Sequence, residues 1–114
     1  MPHITIEYTS NISESNQLEE LFHPLHQLIV KRLDANIDHC KTKAFKADYC
    51  LKALGEEGFV MVTIVLKKGR SREMIESAAS EIMQLLKGFF AQSISENANV
   101  TLEFKDLSEF YYKR

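Results

Sequence analysis

Hydrophobic residues recur along this chain with two alternating periods. From His3 to Tyr8 the period is two. Ile4, Ile6 and Tyr8 share one side and His3, Thr5 and Glu7 the other, which is the pattern of a half-buried strand. Over residues 14–33 the spacing changes to three and four. Leu18, Leu21, Phe22, Leu25, Leu28, Ile29 and Leu33 then fall on one face of a helix, with Ser13 a weak cap ahead of it. Pro24 lies inside that stripe and predicts a kink, because it has no N–H to donate and its ring crowds the preceding turn. A second strand is predicted over 40–48, with Lys41, Lys43, Phe45 and Ala47 on one side. Residues 59–66 are apolar on both sides, which predicts a central strand. A second helix is predicted over 72–93. Ser71 is its N-cap, and Ile75, Ala78, Ala79, Ile82, Leu85, Leu86 and Phe89 are its buried stripe. After a turn at 95–99, Val100, Leu102 and Phe104 alternate with Thr101, Glu103 and Lys105 in a last strand.

The predicted order is βαββαβ, and its halves resemble each other. Ile4-Thr5-Ile6 matches Val62-Thr63-Ile64, and Phe45-Lys46 matches Phe104-Lys105, at nearly the same offset. Two copies of a βαβ unit follow, over 1–48 and 58–106, with 107–114 as a tail that carries the aromatic run Phe110-Tyr111-Tyr112. The fold class is therefore α+β, a four-stranded sheet with both helices on one face. The other face is predicted to be bare and apolar, a surface that oligomerisation commonly covers.

At 114 residues the chain is the size of one domain. A net charge of -2 gives no reason to expect nucleic acid or an anionic membrane as a partner. No apolar run reaches membrane-spanning length and no secretory leader is evident, so a cytoplasmic protein is expected. Cys40 and Cys50 are too few for a disulfide framework or a metal site and read as free thiols. His23 and His26 are three apart but lack a third ligand, so they read as surface residues. There is no glycine-rich phosphate loop, nucleophilic serine motif or zinc spacing.

Two features carry candidate chemistry. Pro2 follows the initiator methionine and is small enough to permit its removal. The mature chain would then open with a secondary amine at the head of a strand, and a neutral amine is a general base. If Met1 stays, that amine is an amide and cannot act. The second feature is a basic set, Lys41, Lys43, Lys46, Lys67, Lys68, Arg70 and Arg72. Arg70 is its best carboxylate ligand, since it stands in a glycine-containing turn just ahead of a helix N-terminus. Glu7 reads as a structural carboxylate.

The start Met1-Pro2-His3, followed by Glu7, Asn11 and Ile12, resembles that of the 5-carboxymethyl-2-hydroxymuconate isomerases of the tautomerase superfamily. Leu66-Lys67 running into Gly69-Arg70-Ser71 resembles the turn after the third strand in the same family. The resemblance implies the tautomerase fold, also that of macrophage migration inhibitory factor, assembled as a homotrimer. It implies isomerisation of a small unsaturated hydroxy-carboxylate without metal or cofactor. Pro2 would be the base, and Arg70 would engage a substrate carboxylate. Lys41 stands where the family has a second arginine, with Lys43 two residues on. That departure keeps the charge but loses the bidentate fork.

Two other readings fit parts of the chain. One is a superfamily member that keeps the trimer without this turnover and binds a small anion or a partner. The other is an RNA-binding module, because βαββαβ is also the order of RNA-recognition domains. Residues 57–62 lack the leading basic residue and the closing aromatic of the RNA-binding signature in those domains.

Overall fold

The strand alternation is satisfied by a single sheet. The computed structural model describes residues 2–114. Its elements are β1 (His3–Tyr8), α1 (Glu19–Leu33), β2 (Lys41–Lys46), β3 (Gly58–Leu66), α2 (Arg72–Phe89), α3 (Ala91–Ser95) and β4 (Ala98–Asp106). Single 3-10 turns precede α1 and β2. The strands lie in the order β2-β1-β3-β4. β1 pairs with β2 and β3 with β4 in parallel, while β1 and β3 meet antiparallel at the centre. Parallel neighbours need a crossover, and each helix supplies one. Direct β1–β2 pairing also separates this fold from the split βαβ domains that share its element order.

One face of the sheet is closed by the helices. Ile4, Ile6, Val60, Val62, Ile64 and Leu66 meet Leu21, Leu25, Ile29 and Leu33 of α1, and Ala78, Ile82 and Leu86 of α2. β4 completes that face with half-buried Val100, Leu102 and Phe104. His26 of α1 reaches Thr42 of β2 at 2.5 Å, which ties the helix to the outer strand. An Arg32–Glu81 ion pair ties α1 to α2.

The opposite face differs from the apolar surface expected. Residues paired across a sheet share a face, so its rows can be read from the register. Lys41, His3, Val65 and Lys105 form one row, and Lys43, Thr5, Thr63 and Glu103 the next. Phe45, at 54% exposure, and Met61, at 45%, form a third row with Glu7 and Thr101. Only β3 is apolar on both sides. The other strands alternate, and they put lysine, threonine and glutamate on this side.

Two local departures have tertiary causes. Ser13 caps no helix; its N–H donates to Ser93 Oγ at 3.0 Å and its hydroxyl to Glu96 at 2.9 Å. The second helix breaks at Phe90 instead of running to 93. The break turns Ser93 inward, where its N–H and hydroxyl both donate to the buried Glu14 carboxylate. Pro24 sits inside α1 without ending it. The carbonyl it leaves without a donor belongs to exposed Glu20, and Leu21 and Leu25 stay in register on the core face.

Asn11 also has a structural task. It accepts from the Thr9 hydroxyl at 2.7 Å and donates to Glu57 O, so it joins the end of β1 to the entry of β3. Gly58 is required at that junction. A Cβ there would stand 2.8 Å from both Asn11 Oδ1 and Thr9 Oγ1.

Candidate active site

The register gathers the predicted site residues at one end of the sheet. The head of β1 lies beside the head of β2, and the tails of β3 and β4 run out at the same end. Pro2 is buried immediately before β1. Its carbonyl accepts from the Lys41 N–H at 3.2 Å, so Pro2 and Lys41 are held together by backbone. Met1 lies outside the described residues, and with it the question of its removal.

Lys41 and Lys43 project from the open face, both exposed, on either side of the edge position Thr42. The Lys43 ammonium stands 6.0 Å from the Phe45 ring centroid. With His3, Ile4, Thr42 and Tyr111 these lysines line a cavity of about 190 Å³. His3 is the row partner of Lys41. Its pKa is lowered, first by burial and then by the positive charge of Lys41, so the neutral imidazole is favoured.

Arg70 does not open into that cavity. Its Nε donates to Leu33 O at 2.7 Å and its Nη1 to Lys67 O at 3.2 Å. Leu33 ends α1, where unpaired carbonyls and the negative end of the helix dipole attract a cation. Arg70 is thus a helix cap as well as a turn staple. Among the described residues, two of the five guanidinium N–H groups are used and three remain. Arg70 lines a separate cavity of about 240 Å³ with Lys67, Gly69, Lys105 and Asp106. Ser71 caps α2 as expected by accepting from Met74 N–H at 3.2 Å, which satisfies one of the N–H groups a ligand would otherwise use.

This double use predicts a mixed phenotype. Arg70→Ala removes two charge-assisted bonds and is expected to destabilise the fold by about 1.5–3 kcal/mol. Urea denaturation checks it. An unchanged midpoint would mean that the guanidinium is not a cap, and any kinetic defect of this variant has to be measured where it remains folded.

Two site-end residues were absent from the sequence expectations. Lys105 shares the Arg70 cavity, although its alternation marked it only as a solvent-facing position. Tyr111 comes from the tail. Leu107 N–H bonds Leu66 O at 2.6 Å, and the tail then returns over the sheet end. The Tyr111 ring meets His3 edge-on with centroids 5.6 Å apart. Tyr111 also lines a neighbouring cavity with Lys67 and Lys68, so it stands between the two lysine pairs. The aromatic run was visible in sequence, but nothing in its pattern distinguishes Tyr111 from Phe110 and Tyr112.

Among the described residues, no group of three or more His, Cys, Asp or Glu side chains is placed to hold a metal ion. No helix among them is long and apolar enough to cross a membrane. Cys40 and Cys50 are free.

Similar proteins agree with this architecture. A 5-carboxymethyl-2-hydroxymuconate isomerase from Deinococcus radiodurans R1 superposes with a TM-score of 0.85 at 25% identity, over 99% of this chain and 88% of that one. A 5-carboxymethyl-2-hydroxymuconate delta-isomerase gives 0.87 at 18%, over 100% and 87%. The fold recurs in macrophage migration inhibitory factor from Oncomelania hupensis, with a TM-score of 0.74 at 12% identity over 100% and 79%. It recurs again in a fused 4-OT, with 0.75 at 11% over 98% and 90%. No curated protein matches. The family model described as 5-carboxymethyl-2-hydroxymuconate isomerase covers residues 2–114, and the chain therefore belongs to that family of isomerases in the tautomerase superfamily.

Proposed function

We propose that this isomerase moves a proton within a small unsaturated carboxylate of the 2-hydroxymuconate type, with the free amine of Pro2 as general base. The observation that carries the reading is the position of Pro2. It is buried at the head of β1 and bonded through its carbonyl to Lys41, at the cationic end of the sheet. Burial and nearby positive charge both disfavour a protonated amine, the form that cannot act as a base. The amine takes the enol proton and returns it to carbon, so the step is redox-neutral and needs no cofactor. Lys41 and Lys43 from the open face, and the three remaining N–H groups of Arg70, hold the carboxylates. The same charges stabilise the dienolate as it develops.

The reading requires Met1 to be removed, which the intact mass of the purified protein decides. It also includes a homotrimer. The fused 4-OT of the same fold is a symmetric trimer. The mixed face bearing Phe45 and Met61 is the surface that such an assembly would cover here. Sedimentation at a single 13.1 kDa subunit mass would remove that part of the reading. The free cysteines fit a reducing cytoplasm.

A second reading rests on Lys41 in place of the expected arginine and on the engagement of Arg70 with backbone. It is a trimer that binds small anions without turning them over. Tight binding of a dicarboxylate by a protein that ketonises no enol would favour it.

A further inference from the structure

His3 carries an unexplained polar atom. Its Nε2 is buried and has no hydrogen-bond partner among the described residues. Buried polar nitrogens are nearly always bonded, so an orphan needs a reason. This one belongs to a side chain that helps line the 190 Å³ cavity between Lys41, Thr42 and Lys43. The Tyr111 ring lies against the same imidazole at 5.6 Å. Among the described residues, the hydrogen bonds of the tail bearing that ring lie at its base and within the tail itself. Leu107 N–H bonds Leu66 O, Tyr111 N–H bonds Ser108 O at 3.2 Å, and Phe110 N–H bonds Ser108 Oγ at 3.0 Å. Tyr111 is therefore a wall that a small tail movement would shift, and His3 is the polar floor beneath it.

We propose that His3 and Tyr111 complete the substrate site: His3 Nε2 hydrogen-bonds an oxygen of the unsaturated carboxylate held by Lys41 and Lys43, and the Tyr111 ring holds the imidazole in place. This rests on the proposed isomerase reading and extends it to a specific pocket. The division of labour follows from the side chains. Lysine ammonium groups hold an anion as mobile point charges, with little directional preference. A fixed neutral imidazole supplies one directed bond, and so sets the orientation of a planar conjugated acid. Tyr111 is a positioning residue, acting on the ligand through His3.

The probe is cis,cis-muconate, a conjugated dicarboxylate with no enol proton to transfer. Titration of protein with 15N-labelled histidine is expected to move the His3 Nε2 resonance with the same midpoint as calorimetric binding. His3→Ala is expected to raise the muconate Kd by about 10-fold or more, the usual loss for a hydrogen bond to a charged group. His3→Gln, which restores a donor at similar reach, recovers most of the affinity. Tyr111→Ala weakens binding, whereas Tyr112→Ala, at 86% exposure, does not. A Nε2 resonance unmoved at saturating muconate overturns the proposal, even if His3→Ala fails to fold. So does wild-type protein that binds no muconate. A resonance that moves with protein concentration instead would assign the orphan nitrogen to a neighbouring copy, and also overturns it. Pro2→Ala separates this proposal from the general-base reading. Normal turnover there with the His3 signature intact sinks the base and spares the pocket, and lost turnover without that signature does the reverse.

Discussion

Turnover in Pro2→Ala is expected to fall by about 10²–10⁴-fold, the range that a positioned general base contributes. The assay is ketonisation of a 2-hydroxymuconate-type dienol, followed by the loss of its absorbance. Alanine at position 2 still permits removal of Met1, so this variant keeps an amine. That amine is primary and flexible, and it lacks the ring that fixes the nitrogen at the head of β1. Its loss should therefore fall toward the lower end of the range. Protein that retains Met1 has no free amine at Pro2 and should fall toward the upper end. The order wild type, Pro2→Ala, Met1-retaining protein is itself the prediction. Full activity in either altered form sinks the mechanism. Because Pro2 is buried, each form has to match wild type in its circular dichroism and urea midpoint before the rates are compared. The pH profile gives a further check. The base is active when neutral, so kcat/KM rises with pH through the amine pKa, and replacing the amine should move that limb.

The largest loss of stability is expected at Phe90. Its side chain is fully buried, at 0% exposure, and packs edge-on against Phe89 with centroids 4.9 Å apart. Truncation to alanine loses the transfer free energy of the ring and leaves a cavity that the sheet and two helices cannot easily close. The expected cost is about 3–5 kcal/mol. Against a total stability of roughly 5–15 kcal/mol for a domain of this kind, that is enough to unfold a marginal protein. Phe90 also lies at the break between α2 and α3, so its loss would loosen the segment that brings Ser93 to Glu14. Urea denaturation measures the effect. Phe110→Ala, in the tail at 70% exposure, is the control and should change stability by less than about 0.5 kcal/mol. Equal losses in the two variants would mean that Phe90 does not anchor the core.

The neighbouring pair Phe89 and Phe90 shows where pattern reading runs out. The helical stripe selects Phe89 as the buried position. The structure leaves Phe89 half-buried and closes the core with Phe90, which continues the four-residue spacing of Ala78, Ile82 and Leu86. Both rings fit an amphipathic pattern, and the choice depends on how α2 ends. Ser13 is similar. Its type suits a helix cap, yet its hydrogen bonds go to Ser93 and Glu96, which no local rule can anticipate.

The sequence by itself determined the strands and main helices, the face each buries, and the cationic, proline-led end that points to the isomerase family. The strands, helices and buried faces follow from periods of two and 3.6 and from local turn chemistry, which act over a few residues, whereas the family follows from the resemblance carried by the Met1-Pro2-His3 start and the Gly69-Arg70-Ser71 turn. Only the tertiary structure decided how the site residues are shared out. The register puts Pro2 and Lys41 side by side. The meeting of α1 with the β3–α2 turn commits part of the Arg70 guanidinium to capping Leu33. The returning tail sets Tyr111 over His3, and the open face proves mixed in character. Each of these depends on which distant segments pack together, and side-chain periodicity carries no record of that.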